Sequence, residues 1–378
     1  MTKPSRLGLF ARGLRVLDLS AFLPGPLASL LLADMGAEIL KIEPLSGDAM
    51  TQLGPRDAAN RPLFYEALNA GKSVRRMDLK QKEAREEFLR LVADFDVLIE
   101  GFRPGVMDRL GLGYPVLREV NPGLIYCALS GYGATSPMAR QAGHDANYLA
   151  ASGVLHRNGA DAPAFYDPPL SDVTGSLFGV IAILGALRAR EADGQGCAID
   201  IGLADVTMPL QLFQVSAYGA IGMIPQRRQT YLNGGAAYYQ VYATAEGRHV
   251  ALGAAEPKFW RAFCAAAGRP DWIGREAEPL PQSALIADVA ALIGTFTLAE
   301  CGARFADPNC CVSPVLNLGE AIASPHHRAR GLVRRSPEGA LQALFPALID
   351  GIPPALRPKL REARQEVGIS CRTTPKPG

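Results

Sequence analysis

Apolar and polar positions along the first two hundred residues switch repeatedly between two periods. Arg15-Val16-Leu17-Asp18-Leu19 is a short apolar run of the kind a buried strand carries. From Pro26 to Met35, Leu27, Leu30 and Leu31 recur at helical spacing, with Pro24 and Pro26 suited to a first turn and Gly36 to a C-terminal cap. Glu38 to Glu43 predicts a second strand. Strand, helix and strand in about thirty residues form a βαβ unit and imply a parallel sheet. The pattern then repeats. Ser73 to Leu79 predicts a strand, and Glu83 to Phe95 a helix with Phe88, Leu91 and Val92 on one face. Strands follow at Val97 to Glu100 and Leu124 to Leu129, then a long apolar helix from about Thr174 to Arg190, and a strand at Ala198 to Ile201.

The pattern changes past Gly219. Ala237 to Tyr242 and His249 to Leu252 flank Ala245-Glu246-Gly247, which predicts a hairpin, and helices are expected at Lys258 to Ala267 and Ser283 to Thr297. The expected architecture is α/β. A Rossmann-like parallel-sheet large domain spans 1–220, a smaller α+β domain spans 225–330, and a C-terminal segment over 331–378 returns to the large domain, with a frayed end at 370–378.

Composition narrows the class. At 378 residues, 48% hydrophobic and 20% charged, the chain reads as a soluble globular protein large enough for two domains. A net charge of +2 supplies no field that would hold nucleic acid. The N-terminus lacks a secretory pattern, and the apolar stretches are broken short of a membrane span, so no membrane partner is expected. Seven scattered cysteines match neither a disulfide nor a zinc framework, which points to a reduced, cytoplasmic protein. Ser130-Gly131-Tyr132-Gly133 follows a strand, yet Ser136 stands where a dinucleotide fingerprint needs its third glycine, so a dinucleotide site is not expected.

Three segments carry ionisable groups of interest. His144 stands in Gly143-His144-Asp145-Ala146-Asn147-Tyr148 at the start of a helical pattern, where the helix dipole favours a neutral imidazole able to act as a base. Asp172 precedes the long apolar helix and would serve there as its N-cap, with Thr174 at the second helical position. Glu256 precedes Pro257 and reads either as a cap substitute or as an oriented carboxylate. Locally, each of the three also has an ordinary structural reading. Lys72, Arg75, Arg76 and Lys80 cluster around one strand and Arg103 follows another, a set suited either to phosphate contact or to a solvated face.

Together these pieces resemble the family III CoA-transferase superfamily, and within it most closely the α-methylacyl-CoA racemases. The resemblance rests on Gly13 to Leu19, Pro24-Gly25-Pro26, Leu32 to Glu38, Asp78-Leu79-Lys80, Phe102-Arg103-Pro104-Gly105 and Ser130 to Gly133, in that order, and covers about 13–335. Racemases of this kind carry Gly-His-Asp-x-Asn-Tyr and a Glu-Pro segment, matched here by Gly143 to Tyr148 and by Glu256-Pro257; Cys311 to Val315 is also similar to them. Val173-Thr174-Gly175-Ser176 is closer to the transferases, and Pro44 stands where many relatives place an arginine.

The resemblance implies an interlocked homodimer acting on acyl-CoA. No cofactor would be held permanently, coenzyme A arriving as part of the substrate. It implies that His144 and Asp172 are bases on opposite faces of the α-carbon, that Glu256 from its own or the partner chain orients His144, and that the Asp145 N–H faces the enolate. CoA contacts would fall at Phe22, Lys41, Leu79, Lys80, Arg103 and Tyr148. The implied reaction is interconversion of (R)- and (S)-2-methylacyl-CoA by 1,1-proton transfer. The alternatives are transfer of CoA between acids through an aspartyl thioester at Asp172, and non-catalytic binding of CoA esters.

Overall fold

The computed structural model describes residues 4–363; the expected frayed end at 370–378 lies outside them. Two compact units divide the chain: residues 4–148, 169–206 and 326–363 form the first, and 149–168 with 207–325 the second. The division thus falls at Val206 rather than at about 220, and 149–168 belongs with the second unit.

In the first unit the apolar runs become β1 (Arg15–Asp18), β2 (Glu38–Glu43), β3 (Ser73–Arg76), β4 (Val97–Glu100), β5 (Ile125–Ser130) and β6 (Ala198–Gly202). Between them lie α1 (Pro24–Asp34), α2 (Leu63–Asn69), α3 (Lys82–Ala93), α4 (Val106–Arg109), α5 (Tyr114–Val120), the first turn of α6 (Asp145–Ala151), whose last three residues belong to the second unit, and α7 (Leu170–Asp193). The sheet has seven parallel strands in the order β12-β3-β2-β1-β4-β5-β6, where β12 (Arg361–Glu362) is the last strand described. Strands buried on both faces explain the near-continuous apolar runs, since helices cover each side of a parallel sheet.

Helix α7 begins four residues earlier than the periodicity predicts. It is long and apolar enough to cross a membrane by length and composition, against the expectation that every apolar stretch is too short. Here it packs on α1, β5 and β6 through a face rich in small residues, including Ser171, Thr174, Gly175 and Gly179. A Cβ at Gly175 would stand 2.4 Å from Leu203 Cδ2, so a larger residue there would require the Leu203 side chain to move.

A buried ionic network lies where β1 hands over to α1. The Asp18 carboxylate accepts bonds from Ser20 N (3.0 Å), Ser20 Oγ, Ser29 Oγ and Lys72 Nζ (3.3 Å). Lys72 Nζ also donates to Pro26 O (2.8 Å) and Asn69 Oδ1 (2.9 Å). Lys41 Nζ donates to Ser20 O (2.6 Å) and pairs with Asp48 at 3.0 Å. Burial alone would push the Asp18 carboxyl up, but Lys41, Lys72 and the two serine hydroxyls outweigh it and hold it at about 2. Lys72 therefore faces inward and is no part of a surface basic cluster.

The second unit carries α8 (Leu212–Ile221), β7 (Tyr239–Ala243), β8 (His249–Gly253), α9 (Pro257–Ala267), α10 (Ser283–Ile293), α11 (Leu298–Arg304), β9 (Val312–Pro314) and α12 (Leu318–Ala323). Strands β7 and β8 form the expected antiparallel hairpin, and β9 completes a three-stranded sheet. Its core stacks Trp260, Phe263, Trp272 and Phe305. Helix α13 (Pro325–Arg330) leads back to the first unit and its hairpin of β10 (Val333–Arg335) and β11 (Leu341–Ala343).

Lys72→Met should lower unfolding stability by about 3–5 kcal/mol, because it leaves the buried Asp18 charge without one of its partners. Urea denaturation followed by circular dichroism measures this, and a loss below ~1 kcal/mol would show that the pair contributes little.

Candidate active site

Strand order reverses between β1 and β4: β2 and β3 continue on one side, β5 and β6 on the other. Ligands of open α/β sheets bind outside the carboxyl ends of the strands at such a point. Here those ends run into Leu19–Leu23 and into Gly101–Gly105.

The first segment holds Phe22 with φ at 63°, a left-handed backbone that a phenylalanine rarely adopts and that costs about 1–2 kcal/mol. Its ring meets the His144 imidazole edge-on, with centroids 6.2 Å apart and planes at 83°.

His144 immediately precedes α6. Its backbone N–H donates to Asn147 Oδ1 (3.0 Å), and its carbonyl accepts from Asn147 N (2.8 Å). Tyr148 Oη donates to Gly143 O, and the Tyr148 ring lies against Gly131 and Gly143, where an added Cβ would come within 2.7 and 2.9 Å of it. Tyr132 packs edge-on to the same ring at 5.3 Å. These contacts fix the main chain on both sides of His144 and leave its side chain exposed.

Asp145 joins this segment to α7. Its Oδ1 accepts the backbone N–H of Ser171 (2.6 Å) and of Asp172 (3.2 Å). Pro169, which precedes α7, offers no side-chain cap, so the helix is capped across the fold. Asp172 is thus the third residue of α7 and not its N-cap, and Thr174 is the fifth. Ser176 Oγ donates to Asp172 O (2.9 Å) and to Pro24 O (2.7 Å), which ties the starts of α7 and α1 together.

Two carboxyls in close company cannot both ionise freely. Burial, and then the charge on Asp145, push Asp172 up to about 7. Burial also raises Asp145, against the two backbone N–H groups that favour its anion. Tyr148 is pushed up to about 12 by burial and then by Asp172, with Arg103 acting in the opposite sense. The Arg103 guanidinium therefore lies within electrostatic reach of this cluster, and it is exposed with no acidic partner among the described residues.

The other expected CoA contacts divide. Lys80 is exposed, while Leu79, like Phe102, is half-buried against the core. Lys41 is a correction: it is fully buried, and its ammonium is taken by Ser20 O and Asp48, so it does not face a ligand. Arg75 pairs with Glu87, and Arg76 with Glu362 at 3.4 Å, which removes both from the free basic set. Glu256, in the second unit, leads into α9 and pairs with Lys258 at 3.0 Å.

Sequence reasoning missed Ser176, Tyr132 and Glu100. Glu100 is buried at the end of β4, and its carboxylate accepts from Phe102 N (2.6 Å) and Tyr126 Oη (3.0 Å), setting the turn that presents Arg103. The signal available for the Tyr148 pocket was the pair of glycines, Gly131 and Gly143, that its ring requires.

The sequence profile of CoA-transferase family III matches residues 12–361. The chain belongs to that family. α-Methylacyl-CoA racemase of Mus musculus is 35% identical to this family member over 333 residues, covering 84% of this chain and 81% of its own. The α subunit of succinyl-CoA–L-malate CoA-transferase from Chloroflexus aurantiacus is 36% identical over 336 residues, covering 84% and 77%. A crystal structure of a CaiB/BaiF family protein from Brucella suis superposes with a TM-score of 0.82 at 28% identity, covering 93% and 96%. Racemases and transferases are thus equally near by identity, and family membership alone leaves the reaction open between them.

Asp145→Asn keeps an oxygen for the two α7 N–H groups but removes the charge that raises Asp172. Asp172 in this variant should titrate below about 7, nearer the ordinary carboxylate range. Carbon-13 NMR of the labelled Asp172 carboxyl reads this directly, and an unmoved midpoint would mean that burial alone sets its proton affinity.

Proposed function

We propose that this family III CoA-transferase homologue is a racemase that interconverts (R)- and (S)-2-methylacyl-CoA thioesters by two-base proton transfer through an enolate. The observation that carries the reading is the contact of Asp145, the residue after His144, with the start of α7, where its Oδ1 accepts the backbone N–H of Ser171 and Asp172 and sets its charge beside the Asp172 carboxyl. Burial and Asp145 place it at about 7. A group at that value can take up a proton as readily as it gives one, which suits an acid–base carrier near neutral pH. An attacking carboxylate is instead best kept fully ionised.

In the proposed mechanism His144 removes the α-proton from one face and Asp172 delivers a proton to the other; the reverse reaction exchanges the roles. Negative charge builds on the thioester oxygen as the α-proton leaves. The Asp145 backbone N–H, which has no acceptor among the described residues, is proposed to stabilise it. Arg103 and Lys80 are proposed to meet the CoA phosphates, with Phe22, Leu79 and Tyr148 as neighbouring walls. Glu256 is proposed as the carboxylate that orients His144, supplied by its own or the partner chain. No metal or resident cofactor enters the scheme, and a cytoplasmic location is proposed with it.

The decisive measurement is deuterium uptake at the α-carbon of a 2-methylacyl-CoA in heavy water. Wash-in should occur without a second acid, and His144→Ala and Asp172→Ala should each lower it by on the order of a hundredfold or more. The rate of abstraction by Asp172 should rise as pH climbs through about 7, where its carboxyl ionises. Transfer of CoA to an added acid, with a hydroxylamine-sensitive adduct at Asp172 and an active His144→Ala variant, would instead establish the transferase reading.

An interlocked homodimer is also proposed. Helix α8 buries none of its residues and shows Leu212, Phe213, Tyr218 and Ile221 to the surface, Ile221 being 76% exposed. Apolar area of that kind marks a surface that is covered in the assembled protein. Light scattering should give twice the chain mass, and Phe213→Glu with Ile221→Glu should give monomers; a monomeric unaltered protein would remove the proposal.

A further inference from the structure

Phe22 is held in a way that serves a purpose beyond lining a coenzyme site. Its backbone is left-handed, a conformation that glycine adopts freely and phenylalanine does not. The residue is 41% exposed and stands outside the apolar core, so burial does not explain it. The chain is anchored two residues before and two residues after it. On one side the Ser20 N–H and hydroxyl donate to Asp18, while the Ser20 carbonyl accepts from Lys41 Nζ at 2.6 Å. On the other, Pro24 O accepts from Ser176 Oγ at 2.7 Å, and the same hydroxyl reaches Asp172 O. The three residues between these anchors have little freedom, and the middle one directs its ring edge-on to the His144 imidazole.

We propose that Phe22 is a positioning residue for His144, its strained turn bracing the imidazole against rotation at the rim of the site. The His144 backbone is secured by Asn147 and, through Gly143, by Tyr148, yet the side chain is exposed and meets no other aromatic ring among the described residues. A base that must meet an α-carbon from one direction gains from a fixed rotamer, because small misplacements of reacting groups lower rates steeply. The buried Asp18–Lys41–Lys72 network thereby acts on the site at a distance, through the turn that it anchors.

The inference rests on His144 serving as the base, so the test reads both the side chain and the reaction. Phe22→Gly removes the ring and the strain together. It should melt no lower than the unaltered protein; coenzyme A binding weakens with the lost wall, and kcat for α-deuterium wash-in at saturating substrate falls on the order of tenfold or more. NMR coupling constants of labelled His144 should change from one rotamer to an average over several. Phe22→Tyr, which keeps the ring, should restore both kcat and the single rotamer. If Phe22→Gly fails to fold, Phe22→Leu carries the same comparison.

Preserved kcat at saturating substrate, with the effect confined to KM and the coenzyme A Kd, would make Phe22 a ligand wall alone and overturn the proposal, as would unchanged His144 couplings. Absence of wash-in from the unaltered protein would instead count against the racemase reading, and the NMR comparison would still decide the role of Phe22.

Discussion

The Asp18 carboxylate, bonded to the Lys72 ammonium and two serine hydroxyls with the Lys41 charge also acting on it, is the contact on which the arrangement of the first unit turns. Strand β1 is central in the sheet and supplies this aspartate at its last position. Through Ser29 and Pro26, by way of Lys72, the carboxylate holds α1; through Lys72 itself it reaches the start of β3; through Ser20 it sets the turn that carries Phe22. A buried ion pair of this kind contributes little net stability relative to a well-packed apolar substitute, while loss of one partner is severe. Its value here lies in direction. Apolar side chains could fill the same space, but they would not fix the Ser20 N–H, hydroxyl and carbonyl at once.

Asp18 and Asp172 show how one residue type takes opposite states within a single unit. Both are withdrawn from water, which disfavours the anion. Asp18 has cations and hydroxyl donors around it and is held at about 2. Asp172 has another carboxylate as its neighbour, and its own backbone N–H is engaged by that neighbour, so nothing offsets burial and it stands at about 7. One carboxylate is therefore structural and permanently charged, while the other can change its proton near neutral pH. The same Asp145 oxygen that caps α7 raises Asp172, so helix capping and proton affinity are set by a single group.

Much of the sheet was legible because a strand buried on both faces is written as a continuous apolar run, as in β1, β2, β4 and β5. The beginning of α7 was not. Its cap comes from Asp145, twenty-seven residues earlier than Asp172, and no local signal reports a cap that distant. The resulting shift moved Asp172 from the cap into the first turn, which changes what its side chain can do. Lys41 and Lys72 were misread for a related reason. Each reads locally as a strand-edge cation, and the acidic and carbonyl partners that draw them inward are set by topology, Asp18 lying fifty-four residues before Lys72. The pairing of His144 with Phe22 was likewise invisible, because it depends on two loops meeting at the point where the strand order reverses.

A scaffold shared by racemases and CoA-transferases has one demand common to both, the seating of an acyl-CoA, which the proposed function places with its thioester near the aspartate at the start of α7. What divides the chemistries is the company that aspartate keeps. Attack on a thioester calls for a carboxylate that is ionised and unopposed, whereas inversion at carbon calls for a second base across the substrate and a proton that is easily exchanged. Under the racemase proposal the relevant features are the Asp145 carboxylate, which raises the proton affinity of Asp172, and His144, joined to Asp145 by one peptide bond, whose side chain is exposed beside Phe22. A change of reaction within such a family therefore needs no new fold. In the proposed reading, the charge of Asp145 on Asp172 and the second base at His144 together would favour proton transfer.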